Sequence, residues 1–156
     1  MGWMFQNGYG VAQDRTESIR WYRLAAEQGN ADAQYHLGVM FECGRGVAQD
    51  TAEAIRWYRL AAEQGNAGAQ FILGYMFESG QGVAKNSFEA IRWYRLAAAQ
   101  RHTDGQIRAC NKLGCLFEEG KGVAQDRAEA IRWYRLAAAE GYANATAALK
   151  RLVVKD

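Results

Sequence analysis

Apolar positions along this chain recur with the period of an α-helix, and the helical stretches themselves recur. Over 31–43, Ala33, Leu37 and Phe41 fall every four residues with Met40 beside them, one apolar stripe on an amphipathic helix. Over about 51–64, Ala54, Ile55, Trp57, Tyr58, Ala61 and Ala62 make a wider apolar face, while Glu53, Arg56, Arg59 and Glu63 take the outer side. Between the two lies "GRGVAQD", 44–50. Gly44 can adopt the left-handed conformation that stops a helix, Gly46 permits a second bend, and Val47 is available to anchor the loop to the core. Asp50 with Glu53 three residues on has the spacing of a capping box, in which each side chain satisfies an N–H of the other. Such a cap contributes ~1 kcal/mol.

The loop occurs four times: "GYGVAQD" at 8–14, "GRGVAQD" at 44–50, "GQGVAKN" at 80–86 and "GKGVAQD" at 120–126. Its first glycines are spaced 36, 36 and 40 residues apart, and nearly the same segment follows each copy ("ESIRWYRLAAEQG", "EAIRWYRLAAEQG", "EAIRWYRLAAAQ", "EAIRWYRLAAAEG"). A glycine-rich turn ahead of a helix can cradle a phosphate. Four copies without "GK[ST]" or "GxGxxG" argue instead for punctuation in a repeat. The capping pairs recur as Asp14/Glu17, Asn86/Glu89 and Asp126/Glu129.

The third interval is four residues longer. Thr103 and Gln106 there suggest another capping box, and the insertion predicts one extra turn on a helix over about 104–119. A turn adds ~6 Å and misphases the stripe by only ~40°. Arg101 stands where the other junctions have Gly29, Gly65 and Gly141, so an irregular junction is expected. Residues 1–7 match the second half of a first helix, with Gly2, Met4 and Phe5 in the places of Gly38, Met40 and Phe41. A truncated or degenerate first unit is expected there, leaving apolar surface near Trp3 uncovered. At the other end Ala145, Leu149, Leu152 and Val153 predict an inward stripe on a capping helix, with Lys150 replacing the glycine. One repeat domain over 1–156 results: a partial repeat at 1–30, repeats at 31–66, 67–102 and 103–142, and a capping helix at 143–156.

Leu37-Gly38, Gly44-x-Gly46-Val47, Ala54, Trp57-Tyr58, Ala61-Ala62 and Gly65 together resemble the Sel-one-like repeat (SLR), a relative of the tetratricopeptide repeat, over essentially the whole chain. The resemblance implies an all-α, right-handed α/α superhelical solenoid of about four helix-turn-helix repeats of 36–40 residues. It also implies a bacterial protein–protein interaction adaptor with no chemistry of its own and no cofactor. Some cysteine-rich members of that family bind or hydrolyse β-lactams, but those carry paired cysteines in each repeat. Cys43, Cys110 and Cys115 are odd in number and irregularly placed.

Composition adds constraints. Hydrophobic residues make up 49% and charged residues 23%, a globular balance. The formal net charge of +2 is too small to indicate a nucleic-acid binder. Arginines recur on each second helix (Arg20, Arg23, Arg56, Arg59, Arg92, Arg95, Arg132, Arg135), and glutamates such as Glu17, Glu27, Glu53 and Glu63 share those helices at three- or four-residue spacing, which favours a locally neutralised, solvated face. No apolar run approaches the ~18 residues of a membrane span. His36 and Cys43 lie about 10 Å apart along one helix, too far for a catalytic pair, and no metal-binding or nucleophile motif is present. Unpaired cysteines and the lack of a visible signal peptide favour the cytoplasm, with a periplasmic or secreted location open if the N-terminus is truncated.

Candidate partner-binding residues lie on the first helix of each repeat (helix A), opposite the stripe. They are Asp32, Tyr35, Val39, Glu42 and Cys43; then Gly68, Phe71, Tyr75, Glu78 and Ser79; then Arg108, Asn111, Cys115, Glu118 and Glu119, with Trp3, Gln6 and Asn7 from the partial unit. In tetratricopeptide relatives the matching positions line a concave groove. These positions vary between repeats while the second helix (helix B) hardly changes. Aromatic groups beside Glu42, Glu78 and Glu118 would suit a peptide or protein segment with basic and apolar groups. Two further readings stay open: Tyr35, Phe71 and Tyr75 packing neighbouring A helices together, and a purely structural slice of a longer solenoid. A weak homodimer through the uncovered N-terminal end is also expected.

Overall fold

The computed structural model describes Gly2, Met4 and residues 14–153. Among these residues are eight α-helices and no strand: α1 (Arg15–Glu27), α2 (Ala31–Cys43), α3 (Thr51–Glu63), α4 (Ala67–Ser79), α5 (Ser87–Ala98), α6 (Asp104–Glu119), α7 (Arg127–Ala139) and α8 (Ala143–Val153). They form two compact units, Met1–Ala69 and Gln70–Asp156.

In the first unit α2 packs against α1 and α3. The predicted stripe of α2 is buried at Ala33, Leu37, Met40 and Phe41, and so is the wide face of α3 at Ala54, Ile55, Trp57, Tyr58, Ala61 and Ala62. Gly44 (φ 63°) ends α2 in the left-handed conformation, as its position predicted. Gly46 (φ 79°) makes the second bend and also seats the loop on α1, since a Cβ there would stand 2.8 Å from Ile19 Cδ1.

In the second unit α5, α6, α7 and α8 pack in chain order. Phe71 of α4 joins Ala90, Ile91, Tyr94, Ala97, Ala109, Leu113 and Leu116 in one core, and a second core holds Cys110, Phe117, Ala130, Tyr134, Ala137, Ala145 and Leu152. Val123 packs against both, the anchoring role expected of the loop valine.

The helix caps differ from the expected reciprocal boxes. Asp50 Oδ1 accepts from the Glu53 N–H at 3.0 Å, and Asp14, Asn86 and Asp126 cap their helices alike. The return half of the box is replaced by backbone: the N–H groups of Asp50, Asn86 and Asp126 donate to the carbonyls of Phe41, Phe77 and Phe117, each at 2.9 Å. The loop folds back onto the preceding helix, so the cap N–H is already satisfied. Glu53, Glu89 and Glu129 turn outward and pair with Arg56, Arg92 and Arg132. At Thr103, Oγ1 accepts from the Gln106 N–H at 3.0 Å, while the Gln106 side-chain oxygen is buried without a partner among the described residues.

α6 spans the predicted extra turn. The junction before it is irregular as expected, and the left-handed residue there is His102 (φ 55°) in place of glycine. On α8, Ala145 and Leu152 are buried, but Val153 is 54% exposed, against the sequence expectation. Val153 lies about 80–100° round the helix from Ala145 and Leu152, which turns it to solvent.

Candidate functional site

Each A helix carries a glycine with a glutamate four residues later, so both occupy one helix face a turn apart. A tyrosine from the following B helix lies across that face. The Tyr58, Tyr94 and Tyr134 rings are almost wholly buried, lying on Gly38, Gly74 and Gly114, where a Cβ would stand 2.6 Å from ring carbons. No other residue allows so close an approach. Each hydroxyl then reaches the glutamate: Tyr58 donates to Glu42 at 2.6 Å, Tyr94 to Glu78 at 2.5 Å and Tyr134 to Glu118 at 2.8 Å. The Cys115 sulfur lies 3.2 Å from the Tyr134 hydroxyl. Burial first, then the carboxylate bond (for Tyr134 preceded by the Cys115 contact), raises the pKa of all three phenols well above the ordinary 10.0.

The glutamate row is thus part of the framework, a role the sequence analysis missed. Its signal was present: wherever a complete A helix occurs, glycine, glutamate four later and tyrosine twenty later appear together. Two of the carboxylates also hold a cation from the next A helix or capping helix. Lys112 Nζ lies 3.1 Å from Glu78, and Arg151 Nη2 lies 2.6 Å from Glu118.

In the first unit, Asp32 is exposed and accepts from Asn66 Nδ2 at 2.8 Å. Tyr35 is half-buried, its ring covering Gly68 and lying 6.0 Å from the Tyr58 ring. Val39 and Glu42 are half-buried and Cys43 is exposed. His36 stacks on Tyr22 at 4.9 Å, and its burial lowers its proton affinity against the smaller opposing pull of Asp32.

In the second unit, Phe71 is a core residue and not a surface one, a correction to its place among the candidates. It is 5% exposed, packs 5.7 Å from the Tyr94 ring, and is roofed by the Arg108 guanidinium at 4.3 Å. Tyr75 is 43% exposed, with Lys112 Nζ 5.5 Å above its ring. Ser79 is exposed but donates its hydroxyl to the Tyr75 carbonyl of its own helix at 2.8 Å. Arg108 pairs with Asp104 at 3.5 Å, and exposed Glu119 pairs with Lys121. Asn111 and Cys115 line a cleft of about 450 Å³ with Tyr134, Asn144, Ala147, Ala148 and Arg151. Trp3, Gln6 and Asn7 lie outside the described residues.

The arginine-rich B faces are laced with ion pairs, Arg20–Glu17 at 3.4 Å and Arg56–Glu53 at 3.1 Å among them. Arg56 and Arg92 also lie over Trp57 and Trp93. One exposed aromatic escaped the sequence analysis: Phe88, 75% exposed, where the other repeats have Thr16, Ala52 and Ala128. Among the described residues no cluster of metal-ligating side chains occurs, and no helix is long and apolar enough to cross a membrane.

The Sel1 repeat family model matches residues 1–30, 31–66, 67–102 and 107–142. Among solved structures, a Sel1 repeat protein from Oxalobacter formigenes is 39% identical with a TM-score of 0.89, over 96% of this chain and 60% of that one. The protective antigen c5321 of uropathogenic Escherichia coli, which displays an SLR fold, is 38% identical with a TM-score of 0.88, over 95% of this chain and 31% of that one. This chain therefore spans less than two thirds of either relative's length. Cysteine rich protein B of Helicobacter pylori shares the fold at 22% identity, with a TM-score of 0.67, over 92% of this chain and all of that one. No curated protein matches. With matched repeats along most of its length and the all-α solenoid fold of these neighbours, the chain belongs to the Sel1 repeat family.

Proposed function

We propose that this chain is an interaction scaffold holding a peptide or protein partner on the outward face of its A helices. Sel1 repeat proteins act in general as protein-interaction scaffolds and not as catalysts. The observation that carries the reading is the contrast within each repeat. Helix B is nearly invariant, whereas the outward A position changes from Val39 to Tyr75 to Cys115, and the position of Tyr35 is taken by Asn111 in the third complete repeat. Packing alone needs no such variety at an exposed Tyr75 or beside the Asn111 cleft. In the first unit the face comprises Asp32, Tyr35, Val39 and Glu42; in the second, Tyr75, Ser79, Arg108, Asn111, Cys115 and Glu118.

Affinity capture from cells that make the protein, wild type against Tyr75→Ala/Asn111→Ala, tests this. Neither side chain is part of the core, so both proteins fold, as circular dichroism will show. Loss of a specific partner in the variant supports the A face, and identical capture places binding elsewhere. No capture by either favours the structural-slice reading. Self-association through the N-terminal end is a separate proposal resting on Trp3, and a strictly monomeric mass by light scattering at high concentration would overturn it.

A further inference from the structure

The internal repeats serve as each other's controls. At Glu78 and Glu118 one carboxylate accepts two charge-assisted or hydroxyl bonds: a tyrosine hydroxyl from its own repeat, and a cation 34 or 33 residues downstream, Lys112 or Arg151. At Glu42 the tyrosine bond is present, but the residues 34 and 33 downstream are Met76 and Tyr75, neither of them cationic. Among the described residues no Lys, Arg or His pairs with the Glu42 carboxylate. Its second oxygen has no hydrogen-bond or ion-pair partner among the described residues, and the carboxylate is half-buried.

We propose that Glu42 is the specific acceptor for an arginine or lysine side chain of a protein partner, which takes the place that Lys112 and Arg151 occupy in the other repeats. The inference rests on the scaffold reading and narrows it. Of the three glutamates of the row, Glu78 and Glu118 are already neutralised within the chain, and Glu42 alone carries charge complementarity to offer. Half-burial limits solvent screening of that charge, and Tyr58 fixes the carboxylate so that little side-chain freedom is lost on pairing.

Selection of a random 12-residue peptide phage library on the purified full chain provides the probe. Enriched peptides are synthesised and measured by calorimetry against wild type, Glu42→Gln, Glu78→Gln and Tyr75→Ala/Asn111→Ala. Glutamine is isosteric, and its amide oxygen still accepts from Tyr58, so the fold survives. Expected are peptides sharing one Arg or Lys, which bind Glu42→Gln about tenfold more weakly, equivalent to about 1.4 kcal/mol, and bind Glu78→Gln as wild type. Replacing the shared basic residue by norleucine should cost the same on wild type and nothing more on Glu42→Gln. Peptides that need Tyr75 and Asn111 but ignore Glu42→Gln would overturn this inference and leave the scaffold reading standing. Peptides indifferent to every variant, or none enriched, would overturn both. A homodimer lost in Glu42→Gln would assign the acceptor to a second copy and overturn the partner assignment.

Discussion

Gly38 lies flat beneath the ring of Tyr58, so that a methyl group added to the glycine would stand 2.6 Å from ring carbons Cδ1 and Cε1. The relationship repeats at Gly74–Tyr94 and Gly114–Tyr134. In an ordinary helix interior, Gly→Ala gains up to ~1 kcal/mol. Here the ring is wholly buried and cannot retreat, so Gly38→Ala should cost ~1–3 kcal/mol through overpacking. Urea unfolding followed by circular dichroism measures the difference. A neutral or stabilising Gly38→Ala would mean that the helices separate without loss.

Tyr58→Phe isolates the hydroxyl. It keeps the ring on Gly38 and removes one bond to a carboxylate, a loss of ~1–2 kcal/mol for a half-buried charged acceptor. Tyr94→Phe should cost about the same or less, because Glu78 keeps Lys112. Urea midpoints at fixed slope decide the order.

The same hydroxyls set an alkaline limit. Their folded-state ionisation lies above the ordinary 10.0, so the unfolded chain releases these protons first. Stability from this source is complete below pH 10 and falls as pH rises above it, by ~1.4 kcal/mol per site for each pH unit until the folded-state value is reached. Tyrosinate absorbance near 295 nm should therefore rise in two phases, the later one coinciding with loss of helicity. A single rise with the helices intact would contradict it.

Thiol chemistry should sort by burial. Cys43 is exposed, Cys115 half-buried, and Cys110 buried with its ionisation pushed up to about 11 by that burial. Iodoacetamide at pH 8 should label Cys43 first, Cys115 more slowly, and Cys110 only on unfolding, read by mass spectrometry of tryptic peptides. Early labelling of Cys110 would show that its core opens readily.

At the C-terminal helix, Leu152→Ala should cost ~2–3 kcal/mol while Val153→Ala stays within ~0.5 kcal/mol. Equal effects in thermal melts would restore Val153 to the buried stripe.

What the sequence made legible follows from period. The helix over 31–43, the extra turn over 104–119 and the irregular junction at Arg101–His102 all depend on spacing and on where glycine is missing, which a single chain displays. Relations across helices were harder to see. Glu53 has the spacing of a cap partner, but the Asp50 N–H is already satisfied by the Phe41 carbonyl, and the loop's return path leaves no mark on local spacing. Phe71 shares the register of Tyr35 yet is buried, since a guanidinium 37 residues away roofs it. Glu42, Glu78 and Glu118 read as surface charge because helical wheels show direction but not the tyrosine arriving from the next helix. Lys112 and Arg151 could be placed only once that tyrosine was.

The most direct test of the scaffold role is site-specific photo-crosslinking in cells that make the protein, with a benzophenone amino acid placed at Tyr75 or Asn111 on the A face and at Arg59 or Arg135 on the B face. Adducts to a common partner from Tyr75 and Asn111, with none from Arg59 or Arg135, are expected. Adducts from the B-face positions alone would contradict the assignment of the A helices as the binding surface.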